Sequence, residues 1–443
     1  MMSVLFLLLV RLCLCVVPGD TWPGFLGGEA TLSTSESIPT KWSPSEGVLW
    51  KSTPVGHGQS SPVLWDSKVF VTSTDGPLKD DYYIYCLSLS DGAQLWKHTF
   101  KNSDPVENSL YVSRAAPTPI VDSKRVIAFF ESGDIVCLDH AGKQQWSRSI
   151  AKDYGKFQNK FGLCGSPVQT DNHVIILVDD EGPSYLVAID KTTGEEVWKR
   201  DRTSRRSWSS PSIQTIAGVK QVLVSSSGSV DGYDCITGNL LWSFADIGGN
   251  TGTTPLPAGP NRFFVAASGG REGENTELAK KSNLVMEVKL DGGKWSALPL
   301  WIASEAAPSW ASPMSYRGCA YWVNRTGVIY CFDLETGSLN YKERTKQSCW
   351  ATPIGLGDRI YFFGKDGLTT VIAAGKEFKI LAENQLWDPD AVAADAKTGA
   401  NESTEERRRA AAMFSGPTQY GCAVGSGKLI IRTGDSVYCI GKP

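Results

Sequence analysis

The sequence predicts an all-β protein, an eight-bladed β-propeller with four strands in each blade. The main observation is a unit written eight times: a start around Ser/Thr-Pro, a β-branched run, an aromatic-Cys-Leu strand, an Asp-x-x-Thr-Gly turn and a Trp. The units follow one another every 40 to 64 residues, which is room for about four short strands each. Repeats of this length build a circular or solenoidal array rather than one layered core. The starts contain Pro62, Pro119, Pro167, Pro211, Pro255, Pro313, Pro353 and Pro417.

The second observation is that the two ends of the chain complement each other. Residues 437–440 read as a third strand with no fourth strand after them, whereas residues 48–51 precede the first Pro and read as an isolated outer strand that contains Trp50. We therefore expect the N-terminal strand to complete the last blade and close the ring.

Within each unit, the strands can be labelled A to D from the channel outward. Strand B is the β-branched run, as in residues 174–178, and strand C is the aromatic-Cys-Leu run, as in residues 329–334. Both are too short for helices and are bounded by turn residues. Asp and Gly of the following turn fit a tight hairpin. Strand D then supplies a large aromatic residue, which we expect to wedge between blades: Trp96, Trp146, Trp198, Trp242, Trp301 and Tyr341.

Length and charge limit the possible classes. The repeats tile the 443 residues without a linker, so we expect one propeller domain over residues 48–443, with an insertion at 383–413 and an N-terminal extension at 20–47. The formal net charge is −3, and no basic tract resembles a nucleic-acid footprint, which argues against nucleic acid as a partner. We expect a monomer.

The first residues predict export. Residues 1–18 are apolar apart from Arg11, and Val17 and Gly19 form a small-residue cleavage pattern. Residues 1–19 are therefore predicted to be a signal peptide, and the mature protein to be periplasmic or extracellular without an integral membrane span. An uncleaved anchor or a misassigned start is the alternative.

The cysteines and histidines carry no recognisable catalytic pattern. Cys86, Cys137, Cys331 and Cys439 share one position in strand C, where a small buried group is needed under an aromatic ring, so structural thiols are favoured over a disulfide framework. The four histidines lack metal-ligand spacing, and no nucleophile elbow or phosphate loop occurs. We assign no catalytic and no metal-binding residues.

The repeat resembles the tryptophan-docking repeat of the pyrroloquinoline-quinone-like β-propellers. The resemblance rests on Leu-Ser-Leu-Ser-Asp-Gly-Ala-Gln-Leu-Trp ending at Trp96, Ala-Ile-Asp-Lys-Thr-Thr-Gly-Glu-Glu-Val-Trp ending at Trp198, and Cys-Phe-Asp-Leu-Glu-Thr-Gly beginning at Cys331. That family includes quinoprotein alcohol dehydrogenases and the propeller subunit of the bacterial outer-membrane assembly machine. It implies eight blades, and it hosts both enzymes and adaptors.

The resemblance also implies what an enzymatic member needs: a quinone held between a Trp and a vicinal disulfide, with Ca²⁺ on carboxylate and amide ligands. The chain has no adjacent Cys-Cys pair and no Cys-x-x-Cys-His. Glu131, Asp179 and Glu305 match no ligand position of the family. We therefore expect no cofactor, and pyrroloquinoline quinone with calcium only if the chain is an oxidoreductase with a degenerate site.

Geometry indicates a candidate binding site at one rim of the channel. The residue three before each Pro should lie where strand A begins, and several of these residues are aromatic, with Arg114 and His57 nearby in sequence. Aromatic walls with cationic groups suit a flat anionic ligand, a sugar or a peptide segment. The alternative is that the rings only plug the channel. The candidate residues are Trp208, Trp310, Trp350, Phe414, Gln59, His57 and Arg114.

Two functions of different class follow. The first is a non-catalytic extracytoplasmic scaffold that binds a protein partner or a cell-envelope ligand, which the missing vicinal disulfide favours. The second is a quinone-dependent oxidoreductase, which only the family resemblance and the aromatic rim favour. Whether the protein is an enzyme is left open, and the scaffold is preferred.

Overall fold

The structure is a computed structural model that describes residues 21–27, 38–106, 113–159, 162–269, 276–392, 404, 405, 408 and 416–442. It confirms the predicted eight-bladed propeller. Seven of the eight blades contain four consecutively paired antiparallel strands, and the remaining one contains three. The predicted signal peptide lies outside the described residues.

The first four blades follow one another along the chain, each with strands A to D from the channel outward. The strand bounds are Val63–Trp65, Lys68–Asp75, Asp81–Ser88 and Gln94–Lys101 in blade one; Ile120–Val121, Arg125–Phe129, Asp134–Asp139 and Gln144–Ser149 in blade two; Val168–Gln169, His173–Val178, Ser184–Asp190 and Glu196–Arg202 in blade three; and Ser212–Ile216, Val219–Ser226, Ser229–Asp234 and Leu240–Phe244 in blade four.

The other four blades complete the ring. Their strands are Arg262–Val265, Leu284–Asp291 and Lys294–Ile302 in blade five; Met314–Tyr316, Cys319–Val323, Val328–Asp333 and Leu339–Arg344 in blade six; Ile354–Leu356, Arg359–Phe363, Leu368–Ala373 and Ile380–Gln385 in blade seven; and Gly421–Gly425, Lys428–Arg432, Val437–Ile440 and Val48–Ser52 in blade eight. The described helices are short: Phe25–Gly27, Ile150–Tyr154, Thr276–Lys281 and Pro389–Ala391.

Blade five lacks a regular strand A, but its inner segment is still bonded to strand B. The backbone N–H of Phe264 donates to the carbonyl of Leu256 at 2.8 Å, and Pro257 forms an isolated bridge with Phe263. Pro cannot donate a ladder hydrogen bond, so Pro255 and Pro257 limit this segment to partial pairing.

The two ends of the chain meet in blade eight, as predicted. Val48–Ser52 pairs antiparallel with Val437–Ile440, and Trp50 lies opposite Cys439. Trp96 lies opposite Cys86 in blade one in the same way. Residues from the N-terminal part of the chain therefore supply the strand D of the last blade.

The aromatic residues of strand D join most neighbouring blades by one repeated contact. The indole of Trp96 lies on Gly142 of the next blade, where a Cβ atom would be 2.7 Å from the ring, and its N–H donates to the carbonyl of His140 at 3.0 Å. Gly142 has φ +83°, so glycine suits both the turn and the contact. The same arrangement joins Trp50 to Gly92, Trp146 to Gly194, Trp198 to Gly238 and Trp301 to Gly337.

In several blades, the hydroxyl that precedes the Pro of the start accepts a hydrogen bond from the previous blade near the channel. The N–H of Ser61 donates to the Oγ1 of Thr118 at 3.0 Å, and the N–H of Thr118 donates to the Oγ of Ser166 at 3.0 Å. The N–H of Ser312 likewise donates to the Oγ1 of Thr352 at 2.9 Å. These bonds satisfy backbone donors that the neighbouring strand cannot reach, which explains the recurrence of Ser or Thr in the motif.

Blade eight corrects the register that we assigned from Pro417. Its strand A begins at Gly421, and its two-residue A–B turn follows Gly425. Ala423 pairs with Ile430 in blade eight as Val63, the residue after Pro62, pairs with Phe70 in blade one. Cys422 therefore occupies the position of the Pro, and Gln419 the position three residues earlier. We had assigned that position to Phe414, which itself lies outside the described residues.

The junction of blades seven and eight lacks a strand D aromatic residue. Ala382 lies opposite Val371, at the position that Trp96 occupies in blade one. The N-terminal extension fills the gap. Tyr361 pairs with Val371, next to Ala382, and Trp42 stacks on Tyr361 with ring centroids 6.3 Å apart and an interplanar angle of 10°. The N–H of Trp42 donates to the Oδ1 of Asn384 at 3.0 Å.

A second part of the extension enters the channel. Thr21 and Trp22 pair with Trp65 and Leu64, the strand A of blade one. The carbonyl of Pro23 then accepts from the N–H of Val121 in blade two at 2.9 Å. Trp22 is 3% exposed. The channel is therefore partly filled by residues that precede the propeller in sequence.

Two further expectations can be compared with the structure. Strand D of blade seven extends to Gln385, so the first residues of the predicted 383–413 insertion belong to that blade. The nine described cysteines are all free thiols, in agreement with structural roles. Across the described ranges, no helix is long and apolar enough to span a membrane.

Candidate functional site

The channel contains a cavity of about 1140 Å³. Its walls are mostly strand A and A–B turn residues of blades one to seven, with Lys191 and Thr192 of blade three and Pro23, Gly24, Phe25 and Leu26 of the N-terminal segment. The cationic wall residue Lys191 is held by Asp122, with 2.7 Å between Nζ and Oδ2, and by Gln169 at 2.8 Å. The cavity is thus a preformed space whose buried lysine is already paired.

The predicted rim residues lie at the other end of strand A. None of the six described candidates, Gln59, His57, Arg114, Trp208, Trp310 and Trp350, lines this cavity. They precede strand A, whereas the A–B turns that line the cavity follow it. The predicted residues therefore lie at the end of the propeller opposite the cavity. We call this end, where strands A start, the D–A rim.

At the D–A rim, the structure brings two of the predicted aromatic residues together. The ring centroids of Trp310 and Trp350 are 4.6 Å apart, with an interplanar angle of 63°. The guanidinium of Arg325 lies 5.6 Å from the Trp310 ring, and the ammonium of Lys365 lies 5.5 Å from the Trp350 ring. Trp310 is 37% exposed, so part of this cationic and aromatic surface faces solvent.

Trp208 forms a smaller copy of this arrangement two blades away. The guanidinium of Arg206 lies 5.7 Å from its ring, and its backbone N–H donates to the carbonyl of Thr251 at 2.7 Å. Arg206 also approaches Glu181 at 3.2 Å. A cation–π contact therefore places the Arg206 guanidinium over the Trp208 ring.

His57 and Gln59 belong to a polar cluster at the junction of blades eight and one. The Nε2 of Gln59 lies 3.5 Å from the hydroxyl of Tyr420. Burial, with a smaller contribution from the positive charges of Arg432 and Lys79, lowers the pKa of His57 to about 4. His57 is therefore neutral at physiological pH, and it is a poor general acid there.

Arg114 serves blade two rather than an open site. Its Nη2 lies 3.0 Å from the Oδ2 of Asp104, and its Nη1 donates to the carbonyl of Glu131 at 3.2 Å. Burial raises the pKa of Glu131 to about 7, although Arg114 and Lys79 oppose the shift. One Glu131 oxygen accepts from the N–H of Ala116 at 3.2 Å. Arg114 thus orders a loop, and Glu131 is the titrating group beside it.

A buried ionic network in blades three and four escaped the sequence reading. Arg202 contacts Asp179 at 2.9 Å and Asp231 at 3.0 Å, and all three side chains are less than 10% exposed. Although burial opposes it, Asp179 and the other neighbouring groups raise the pKa of Arg202. Asp179 stood out in the sequence only as an isolated carboxylate, because its partner lies on the outer strand of the same blade.

Metal-binding geometry is not found in the part of the chain that the structure describes. No group of three or more His, Cys, Asp or Glu side chains there is arranged to hold a metal ion. The described side chains at the D–A rim are aromatic, cationic and amide groups, together with single carboxylates such as Glu131 and Glu181.

A sequence model of the family described as outer membrane protein assembly factor BamB matches residues 39–162 and 158–270. The match spans residues 39–270, which is more than half of the 443-residue chain. Among curated proteins, none matches the sequence.

Solved structures agree on the fold. BamB from Moraxella catarrhalis has a TM-score of 0.59 at 11% identity, covering 88% of this chain and 98% of that one. Quinohemoprotein alcohol dehydrogenase from Comamonas testosteroni has a TM-score of 0.59 at 12% identity, covering 96% and 81%. The computationally designed Ika8 protein has a TM-score of 0.54 at 12% identity, covering 89% and 100%. At these identities the similarity shows the propeller fold alone.

Proposed function

Because the chain belongs to the outer membrane protein assembly factor BamB family of propellers, we propose that it is a non-catalytic, extracytoplasmic scaffold that binds a protein partner. The observation that carries the proposal is the Trp310–Trp350 pair, in which Trp310 is exposed and Trp350 is partly buried, with Arg325 and Lys365 against the rings. Trp and Arg are the residues that most often dominate the binding energy of protein interfaces.

The fold supports this function because a closed ring presents its loops on a rigid frame. Five of the eight blade junctions are fastened by the indole-to-glycine contact, including the junction of blades five and six beside Trp310, where Trp301 lies on Gly337. Binding then costs little ordering of the scaffold. Lys365 is paired with Asp366 at 3.4 Å, and Arg325 lies against the Trp310 ring. The surface therefore favours a partner segment that offers an apolar side chain to the rings and a carboxylate to Arg325.

Export is part of the proposal. The apolar run of residues 1–18 and the small residues at its end are typical of a secretory signal. A scaffold of the cell envelope would require it. N-terminal sequencing of the mature protein from an envelope fraction tests this point, and an intact Met1 would contradict it.

The scaffold function is tested by capture from a native envelope fraction. We expect wild-type protein to retain a discrete partner and the Trp310→Ala/Trp350→Ala variant to lose most of it. Leu298→Ala is the matched control, since Leu298 is 59% exposed on the outer strand of blade five. Equal recovery by the double variant and the control would contradict the proposed surface.

The alternative function is a quinone-dependent oxidoreductase, which the family resemblance, the fold similarity to quinohemoprotein alcohol dehydrogenase and the aromatic rim support. Among the described residues, no group of three or more His, Cys, Asp or Glu side chains is arranged to hold Ca²⁺. The sequence has no adjacent Cys-Cys pair that could form the vicinal disulfide. Titration with pyrroloquinoline quinone and Ca²⁺, followed by absorbance and thermal shift, separates the two. Stoichiometric binding would overturn the scaffold proposal.

A further inference from the structure

Strand A of blade four extends further along the channel than strand A of the preceding blade. In blade three the A–B turn begins at Thr170, three residues after Pro167. In blade four it begins at Ile216, five residues after Pro211. The A–B hairpin of blade four is therefore two residues longer, and residues 212–215 all line the channel cavity.

The inner edge of this strand has two backbone positions that face the channel. A two-residue turn joins Ile216 to Val219, which makes them a hydrogen-bonded pair, and such pairs alternate along antiparallel strands. The amide groups of Ile213 and Thr215 therefore point away from strand B. Neither has a backbone partner among the residues that the structure describes, and Thr215 is exposed. An unpaired edge of this kind is a template for another strand.

The corresponding edge of blade one is already covered by an extended segment of the chain. Leu64 comes directly before the A–B turn, as Thr215 does in blade four, and Trp22 pairs with it. In blade two, the N–H of Val121 donates to the carbonyl of Pro23 at 2.9 Å. The channel of this propeller thus accommodates a strand that is added to strand A.

Several other blades offer less at this position. Blade five has Pro257, which has no N–H to donate. In blade seven, the ring of Tyr316 covers Gly355, where a Cβ would be 2.5 Å from the ring. Blades three and six have Gln169 and Ser315 there, each in a shorter strand A. Blade four therefore has the longest edge among these strands.

The neighbouring blades indicate which side chains an added strand would carry. The Nε2 of Gln214 donates to the carbonyl of Pro255 at 3.1 Å, so this side chain points to blade five, where Leu256 lines the cavity. Ile213 packs against blade three, where Gln169 lines the cavity. Side chains of an added strand continue this alternation. We expect apolar residues toward blade five and polar residues toward blade three.

We propose that the cavity binds an extended segment of a partner polypeptide, which adds a strand to strand A of blade four. Its backbone pairs with Ile213 and Thr215, and every second side chain is apolar. The cavity of about 1140 Å³ has room for a peptide, since pockets for small ligands occupy about 300–1,000 Å³. The site lies at the opposite end of the channel from the D–A rim and does not depend on the Trp310–Trp350 pair.

The test measures binding of a fluorescently labelled acetyl-Thr-Val-Thr-Val-Thr amide by fluorescence polarisation. Thr215→Pro removes the inward N–H, and Pro257 in blade five shows that strand A accepts proline before the turn. Thr215→Val is the matched control because it keeps the N–H. We expect wild type and Thr215→Val to bind the peptide, and Thr215→Pro to bind it at least about fivefold more weakly through the loss of one hydrogen bond. Equal affinities of the two variants, or no binding by wild type, would overturn the proposal.

Methylated peptides keep the test decisive on wild-type protein if Thr215→Pro does not fold. In the proposed register, the threonine amides of the peptide face Ile213 and Thr215, whereas the valine amides face away. N-methylation of both valines should leave binding nearly unchanged, and N-methylation of two threonines should abolish it. The reverse order, or the same affinity for both peptides, would contradict an added strand in this register.

A further variant distinguishes this site from the proposed partner surface. The Trp310→Ala/Trp350→Ala variant should bind the peptide with the affinity of wild type, even where it no longer captures a partner from the envelope fraction. Loss of peptide binding in this variant would place the peptide at the D–A rim. That result would overturn the cavity site and leave the scaffold function standing.

Discussion

Trp50 lies on Gly92, and this contact joins the first strand of the propeller to the blade that follows it in space. A Cβ at Gly92 would be 2.5 Å from the indole, and the N–H of Trp50 donates to the carbonyl of Leu89 at 3.1 Å. Strand D of blade eight thereby docks on blade one as Trp96 docks on blade two. Ring closure uses the same contact as four other junctions of the propeller.

Replacing Trp50 should destabilise the closed ring. Trp50 is 8% exposed, and truncating a buried Trp to Ala costs about 3–5 kcal/mol. We expect Trp50→Ala to lower the free energy of unfolding by an amount in that range, measured by urea titration. Trp310→Ala is the matched control because Trp310 is 37% exposed, and it should cost about 1 kcal/mol or less. Similar losses in both variants would contradict closure through Trp50.

Trp42 should matter nearly as much as a docking tryptophan of strand D. It fills the place left by Ala382, stacks on Tyr361 and is 5% exposed. We expect Trp42→Ala to cost about 3 kcal/mol, and proteolysis to become faster near blade seven. Trp42→Phe, which retains a ring over Tyr361, should recover part of the loss. A neutral Trp42→Ala variant would show that the extension does not complete the seventh junction.

Comparing two glycines distinguishes the cost of losing the indole-to-glycine contact from the cost of placing a side chain at positive φ. Gly142 and Gly218 have φ of +83° and +80°, but a Cβ at Gly142 would meet the Trp96 ring at 2.7 Å, whereas nothing lies within 4 Å of one at Gly218. Gly218→Ala should cost about 1 kcal/mol from φ alone. Gly142→Ala should cost clearly more, and equal Tm shifts would refute docking at this position.

The pH dependence of stability should contain two opposing contributions. The pKa of Glu131 is raised by burial from 4.5 to about 7, so the folded state binds more protons than the unfolded state in that window, and stability falls as pH rises through it. The pKa of His57 is lowered from 6.5 to about 4, so its contribution rises with pH between those values.

Single substitutions resolve these contributions. Between pH 5 and 6.5, the slope of the free energy of unfolding against pH should become more positive in Glu131→Gln and more negative in His57→Gln. The measurement is urea unfolding at several pH values in one buffer series. Slopes that move in the same direction in both variants would contradict the assigned shifts.

The sequence predicted the ring because each blade repeats the same physical solution. A Trp, a turn Gly and a hydroxyl before Pro recur, and each makes a contact between blades, so their spacing records the fold. The prediction placed the start of blade eight at Pro417, five residues too early. The structure places Cys422 at the position that Pro occupies in the other blades. The number of blades survived this error because the B and C strands kept their pattern.

The parts that escaped prediction depend on contacts between segments that are distant in sequence. Trp42 is an aromatic residue of the extension, but the sequence does not show that it packs on Tyr361. It does so because strand D of blade seven has Ala382, 340 residues later, where other blades have an aromatic residue. The residues of the D–A rim were predicted from the positions where strands A start. The cavity at the opposite end was not predicted, because its size depends on the diameter of the ring and on the position of Pro23 in the channel. Neither quantity is encoded locally.

The most direct test of the proposed scaffold is site-specific photo-crosslinking in envelope preparations. A photoreactive phenylalanine analogue placed at Trp310 should form an adduct with a discrete protein partner. The same analogue at Leu298 on the outer strand of blade five should not. An adduct from Leu298 with none from Trp310 would contradict partner binding at the D–A rim.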